Sequence, residues 1–440
     1  MEHDRMVLIY SHITSSRLQY ICRFIFKELL GTDFSITIDP EEFKVYKGIR
    51  INYSRTTFNF TSCHIPNHSL LFERDIKPQA IECVEVNNYT TFFKTAYGNH
   101  PFDIFAASFY LLSRYEEYLP HKNDIYGRYA HENSLAFQQG FLHLPLINIW
   151  VKDFYGSLKS KYSTFNFQLS TFVFEPTYDI DIAWSYKYKG PLRNIGGFWR
   201  SPSVERIKVL MGSKNDPFDS YAWLDSLHKK NKLKPVYFFL LAEKHSHYDK
   251  NISPHKEAMW RLVSHHAKNY GVGLHPSWQS GDNPYLLKKE KEQLEAMIGQ
   301  ATKNSQTGII KSRQHYIRFE IPVTFRNLIN CGITHDYSMG YGSINGFRAS
   351  VGTSFFWYDL ENEEETALCI HPFCFMDANS FYEQEFNAQK AYDELMHYLQ
   401  ICKSNGCTLT TIWHNNFLGT APEFAGWRET YEQFIAQALQ

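Results

Sequence analysis

The stretch Phe172-Val-Phe-Glu-Pro-Thr-Tyr-Asp-Ile-Asp181 is an apolar run closed by two carboxylates, with only Ile180 between them. If residues 172–180 form a buried strand, the two-residue side-chain period turns Asp179 and Asp181 to the same side. Like charges converging at a strand end are costly unless a cation lies between them or one carboxyl keeps its proton and acts as acid or base. The plainer alternative is a pair of carboxylates capping the next helix. Downstream, His275 closes Gly271-Val-Gly-Leu, His414 follows Thr-Thr-Ile-Trp413, and His315 lies in Ser312-Arg-Gln-His-Tyr316. One Asp with two His suits a catalytic Zn²⁺ or similar divalent ion that keeps a position open for water. With 20 histidines in the chain, no single one carries this reading. Their joint position at strand ends does.

Positioning such groups requires several strands ending at one edge. Beyond the Phe172 segment, 235–241, 271–275, 308–310, 367–371 and 408–413 read as strands, and 221–231, 258–270, 284–302 and 386–404 as helices. Near-continuous apolar strands alternating with helices indicate a parallel sheet covered on both faces, either a barrel or an open α/β sheet. In such barrels chemistry collects at the C-terminal strand tips. The first part of the chain reads as a smaller α/β module. Val7–Tyr10, 34–38 and 50–53 resemble strands, and 18–30 resembles a helix. Polarity rises over 159–168, which sets a boundary between residues 1–165 and 166–440. Within the first part, Pro101 to Leu119 carries Phe105, Phe109, Leu112, Tyr115 and Leu119 at helical spacing behind Asp103 as N-cap. That leaves Arg114, Glu116 and Glu117 on a solvated or inter-domain face.

With 45 basic and 46 acidic residues, the chain lacks the basic field of a general nucleic-acid binder. The 17% aromatic content suits sugar-stacking surfaces and large cores alike. Eight cysteines show no CxxC pairing and read as reduced, buried thiols. The charged first residues, the short apolar run Met6 to Tyr10, and the lack of a stretch of about 20 apolar residues lead to the expectation of a cytoplasmic protein without a transmembrane segment.

From Thr177 onward the order of motifs resembles the NodB-homology polysaccharide deacetylases, carbohydrate esterase family 4. Thr177-Tyr-Asp-Ile-Asp181 is similar to the family's Thr-Phe-Asp-Asp strand end with one inserted residue. Lys234 to Leu241 resembles its second strand, Gly273-Leu-His-Pro-Ser-Trp278 its His-Ser/Thr motif, Arg313 the Arg of its third motif, and Thr411-Ile-Trp-His-Asn-Asn416 its closing Leu-x-His. The resemblance covers roughly 170–420. The whole chain also resembles a bacterial subgroup that joins an N-terminal α/β domain to such a barrel. It implies a distorted, seven-stranded (β/α) barrel and metal-dependent removal of an N-acetyl group from a sugar of a glycan or glycan precursor, with release of acetate.

One departure bears on the metal. The family's second His, four residues after the first, is Gln279 here, and an amide is a poor Zn²⁺ partner. Either His315 supplies the missing nitrogen, fewer protein ligands hold the metal, or the site has lost it. The split first motif leaves open which Asp plays which part. By order Asp179 is assigned as base and Asp181 as ligand beside His275, with His315 as the candidate third ligand. The resemblance implies Arg313 holding Asp179 ionised and oriented and His414 as acid. A backbone N–H near Tyr316 would stabilise the oxyanion. Tyr316, Trp278, Trp413 and Asp377 are candidate substrate contacts, and Arg348, in the glycine-rich stretch 340–348, is a candidate contact to an anionic group. His245, His247, His265 and His266 read as surface residues. Two alternatives are a non-catalytic sugar-binding module with Trp278, Tyr316, Trp357, Tyr358 and Trp413 as stacking platforms, and an amidohydrolase for a small non-sugar amide.

Overall fold

The computed structural model describes residues 6–162, 167, 169–200, 202–302 and 308–440. The chain forms two compact units, one of residues 1–173, 346–372 and 400–408, the other of 174–345, 373–399 and 409–440. Two later segments, 346–372 and 400–408, belong to the same unit as the first part of the chain.

In the first unit, β1 (Val7–Tyr10), β2 (Phe34–Thr37), β3 (Ile49–Asn52) and β4 (Cys63–His64) form a parallel sheet ordered β2-β1-β3-β4. A hairpin of β5 (Val84–Val86) and β6 (Tyr89–Thr91) turns through Asn87 and Asn88, both left-handed, as a tight two-residue hairpin requires. The helix Ile104–Leu112 starts at Asp103, whose Oδ1 accepts from the N–H groups of Phe105 and Ala106. Every residue of this helix is buried, so it is a core element and not a one-faced one. It stops before Arg114, which is left-handed at φ 54°. Of the solvated or inter-domain face expected here, the solvated reading does not hold. Arg114, Glu116 and Glu117 are buried, and Arg114 bonds Glu116 at 2.8 Å and Glu117 at 2.7 Å. Arg348 grips the same Glu117 at 2.8 and 2.6 Å, which removes it as a substrate contact. Charges this deep persist only when paired and hydrogen-bonded.

In the second unit, β7 (Val173–Ile180), β8 (Val236–Leu240), β9 (Gly271–His275), β10 (Lys311–Ser312) and β11 (His335–Asp336) follow in order. The chain then contributes the hairpin β12 (Phe355–Asp359) and β13 (Glu364–Ile370) to the first unit, and returns with β14 (Phe375–Met376) and β15 (Thr408–His414). The strands lie in one nine-stranded sheet ordered β12-β13-β11-β10-β9-β8-β7-β15-β14, with parallel pairing through β7 to β11 and between β14 and β15. That sheet has nine strands and not the expected seven, and no pairing of its end strands β12 and β14 closes it into a barrel among the described residues. Residues 308–310 are not a strand; β10 begins one residue later. All five residues of β8 are buried, because both faces of this central strand are covered. Its neighbour β9 carries Gly273, where a Cβ would stand 2.5 Å from the Phe238 ring and 3.0 Å from the Lys311 carbonyl. The close approach of β9 to its neighbours depends on that missing side chain. The helices Tyr221–Asn231, Glu257–Asn269 and Pro284–Thr302 agree with the periodicity. Within the second of them His266 is buried, with Nδ1 on the Leu262 carbonyl, and not at the surface. All eight cysteines are free thiols.

Candidate active site

The tips of β7, β9 and β15 and the turn after β10 bring six side chains to one place. Asp179, the penultimate residue of β7, is buried and accepts from Nη1 of Arg313 at 2.8 Å. Arg313 is fixed on its other side by Nε donating to the Tyr337 carbonyl at 3.0 Å, and its guanidinium lies 4.4 Å from the Phe238 ring centroid. Asp181, just past the strand, is about a quarter exposed, with Oδ1 3.0 Å from Nε2 of His275 and Oδ2 3.3 Å from Nε2 of His315 and 3.5 Å from Nε2 of His414.

Each imidazole is anchored through its far nitrogen. Nδ1 of His275 donates to the Arg313 carbonyl at 2.5 Å, which turns Nε2 toward Asp181. Nδ1 of His315 meets Asp249 at 3.1 Å, and Nδ1 of His414 meets Asp377 at 2.6 Å. All three Nε2 atoms therefore face Asp181. Burial by itself would raise the Asp181 carboxyl, but His315 and His275 outweigh it and hold it well below the usual carboxylate range. Burial opposes the charge on His315, yet Asp181 and Asp249 carry its pKa up to about 9. Asp377 and Asp181 raise His414 well above the ordinary histidine value in the same way, against burial.

Ligand atoms of Asp181, His275 and His315 lie within 4.8 Å of one another. The set fits a divalent ion on two grounds. It supplies two imidazoles whose Nε2 atoms are aimed by hydrogen bonds at Nδ1, and a carboxylate, the donors Zn²⁺ prefers. In addition, Oδ1 of Asp181 is a buried oxygen that accepts no aligned hydrogen bond, the kind of orphan a cation satisfies. Gln279 is not part of this group, since its amide reaches the Lys244 carbonyl at 3.3 Å and Asp249 at 3.4 Å.

The predicted substrate contacts fare unevenly. Tyr316 is half-buried beside His315, at φ 59°, and Ile317 follows at φ 54°. Left-handed backbone at two successive non-glycine residues is a strained arrangement of the kind found at functional sites. Trp278 stacks on Tyr248 at 3.9 Å and carries the Arg318 guanidinium at 4.6 Å, so protein groups already engage its ring. Trp413 is fully buried against Phe375, Trp427 and Tyr431 because its side chain points to the opposite side of β15 from the site. Asp377 is fully buried, and both its oxygens hold His414, one through the ring and one through the backbone N–H at 2.7 Å. Its contacts position His414. Sequence reading missed Asp249, which holds His315, the Trp278 N–H at 2.9 Å and the Ser246 hydroxyl at 3.0 Å. Its signal was a carboxylate in the loop after a strand tip, overshadowed there by His245 and His247.

Residues 7–163 match a family model described as "Family of unknown function (DUF7033)". No curated protein matches. Among solved structures, the chain is similar to a polysaccharide deacetylase from Bacillus cereus at 11% identity and TM-score 0.31, covering 60% of this chain and 87% of that one. It is similar to PuuE allantoinase at 10% identity and TM-score 0.39, with 61% and 84% covered. A third, a family 4 acetyl xylan esterase from Clostridium thermocellum in complex with a cobalt ion, is 11% identical at TM-score 0.28, with 60% and 82% covered. The chemistry of the site is carried by its own geometry.

Proposed function

We propose that the protein is a metal-dependent hydrolase that removes the N-acetyl group from a sugar of a glycan or glycan precursor, releasing acetate, on a deacetylase-type barrel. The observation that carries the reading is the meeting of Asp181, His275 and His315 within 4.8 Å, with Asp179 and His414 no more than 3.8 Å from that group. The motif order from Thr177 to His414 supports the choice of an acetylated sugar. A divalent ion bound there, with Zn²⁺ the first candidate, supplies Lewis acidity toward a carbonyl and an acidified water. Asp179, oriented by Arg313, accepts a proton from water attacking the acetyl carbon. The backbone at Tyr316 offers an N–H to the developing oxyanion. His414, kept cationic by Asp377, donates a proton from Nε2 to the departing amine nitrogen. The non-catalytic reading loses support because Trp413 and Trp357, two of its stacking platforms, are buried.

The test is metal content of the purified protein together with acetate release from N-acetylhexosamines and from small amides. Asp179→Asn is expected to abolish turnover with metal retained, and His275→Ala to lose the metal. Wild-type acetate release by both variants would end the proposal, and activity confined to the small amides would move it to the amidohydrolase class.

A further inference from the structure

We propose that residues 188–214 seat the protein on an anionic membrane surface. Among the described residues, 21 large apolar side chains are exposed, and nine of them fall in this one excursion: Tyr188, Leu192, Ile195, Phe198, Trp199, Val204, Ile207, Leu210 and Met211. Trp199 is 83% exposed, Leu192 86% and Met211 78%. Single exposed apolar residues are ordinary, but a concentration of this kind marks a surface that something covers.

The excursion is held firmly at its base and is open at its tip. Buried Asp216 accepts the backbone N–H groups of Ser185, Tyr186 and Lys187 at 2.8 to 2.9 Å, which pinches the two ends together. Asn251 bolts the start to the sheet, accepting from the Ala183 N–H and donating to the carbonyls of Ile180 and Leu240. Above this base stand the helices Pro191–Arg200 and Val204–Leu210, joined where Arg206 donates to the Asn194 carbonyl. Gly196 lies in the first helix, and among the described residues a Cβ there would meet nothing within 4 Å.

Charge identifies the occupant. Residues 185–215 contain seven Lys and Arg against the single carboxylate of Glu205, a net +6 in a chain whose formal net charge is −1. Interfacial segments combine aromatic and aliphatic residues with such cations, the rings entering the headgroup level while the cations meet anionic lipid. No helix among the described residues is long and apolar enough to cross a membrane, so the contact is peripheral. The excursion leaves the sheet at Asp181, and Arg193 donates to the Lys250 carbonyl beside Asp249. The surface thus adjoins the strand tips that carry the candidate site.

The test is cosedimentation of the full chain with vesicles of phosphatidylcholine alone and mixed with phosphatidylglycerol, at low and high salt, with tryptophan emission read in parallel. Expected are binding to the anionic vesicles, weakening with salt, and a blue shift that Trp199→Phe diminishes. Lys208→Gln should weaken binding about fivefold, and Leu192→Glu or Trp199→Glu about tenfold or more. Unchanged circular dichroism would show that these variants fold. No preference for anionic vesicles, or equal binding by the Glu variants, overturns the proposal. So does a dimer formed without vesicles and dissolved by Trp199→Glu, which would assign the surface to a second copy. Because neither sugar nor metal is present, this outcome is independent of whether the active site turns over.

Discussion

Asp249→Asn isolates what the anchor behind His315 contributes. In the wild type one carboxylate oxygen sits 3.1 Å from Nδ1 of His315 and 2.9 Å from the Trp278 N–H, while the other meets Ser246 and Gln279. Asparagine keeps the shape and one accepting oxygen but loses the charge and turns two accepting positions into donors. Loss of such an outer partner lowers metal affinity by about 10- to 100-fold, or about 1.4 to 2.7 kcal/mol. The lower half of that range is expected, because the rings of Tyr316 and His275, 4.6 and 5.0 Å away, still confine the imidazole plane. The assay is competition for Zn²⁺ against a chelator of known affinity, at fixed pH. Asp377→Asn is the control, since it anchors His414, which lies outside the ligand set, and should leave Zn²⁺ affinity unchanged. An Asp249→Asn protein that holds Zn²⁺ as tightly as wild type, or a control that loses as much, would refute the reasoning.

Other expectations follow from the same contacts. With no metal bound, His315 titrates at about 9, above its ordinary value near 6.5, so its contribution to stability is complete below about 6.5 and fades as pH rises through about 9. Metal binding at neutral pH should therefore release a proton, and affinity should climb with pH; calorimetry in buffers of different ionisation enthalpy reads both. His414→Ala should lower kcat by about 10²- to 10⁴-fold with little change in metal content. Arg313→Met leaves Asp179 buried and unpaired and should cost about 3 to 5 kcal/mol, read as a lower denaturant midpoint. Glu117, held at about 2 by Arg348 and Arg114 against the effect of burial, gives stability that is full above about 4.5 and drains away as pH falls toward 2. Glu117→Gln should flatten that acid limb in a pH series of melts.

The site was legible where the chemistry sits at strand tips, because a period of two and a tip position are both visible in a linear chain. Asp179, Asp181, His275 and Arg313 fall into this class, and their order along the chain pointed to one pocket. Residues that act through another residue were less legible. Asp249 and Asp377 hold imidazoles 66 and 37 positions away, and nothing local in either segment announces such a partner. Trp413 and Arg348 were misjudged for a related reason. A large aromatic and a cation look like surface tools in sequence, yet the strand period turns one inward and Glu117 captures the other. In the fold, the alternation of strands and helices was readable, whereas the return of 346–372 and 400–408 to the first unit depends on contacts far apart in sequence.

The tethering of every site imidazole by its outer nitrogen has a kinetic corollary. The Arg313 carbonyl, Asp249 and Asp377 come from three separate parts of the chain, so no ring can swivel without breaking a bond to a different wall. Such a lining is a ready-made socket that an incoming ion enters by shedding water, with no rearrangement of the protein. Uptake should then follow a single fast exponential whose rate tracks how readily each ion exchanges its own water, slower for Ni²⁺ than for Zn²⁺, and chain motion should leave no separate phase.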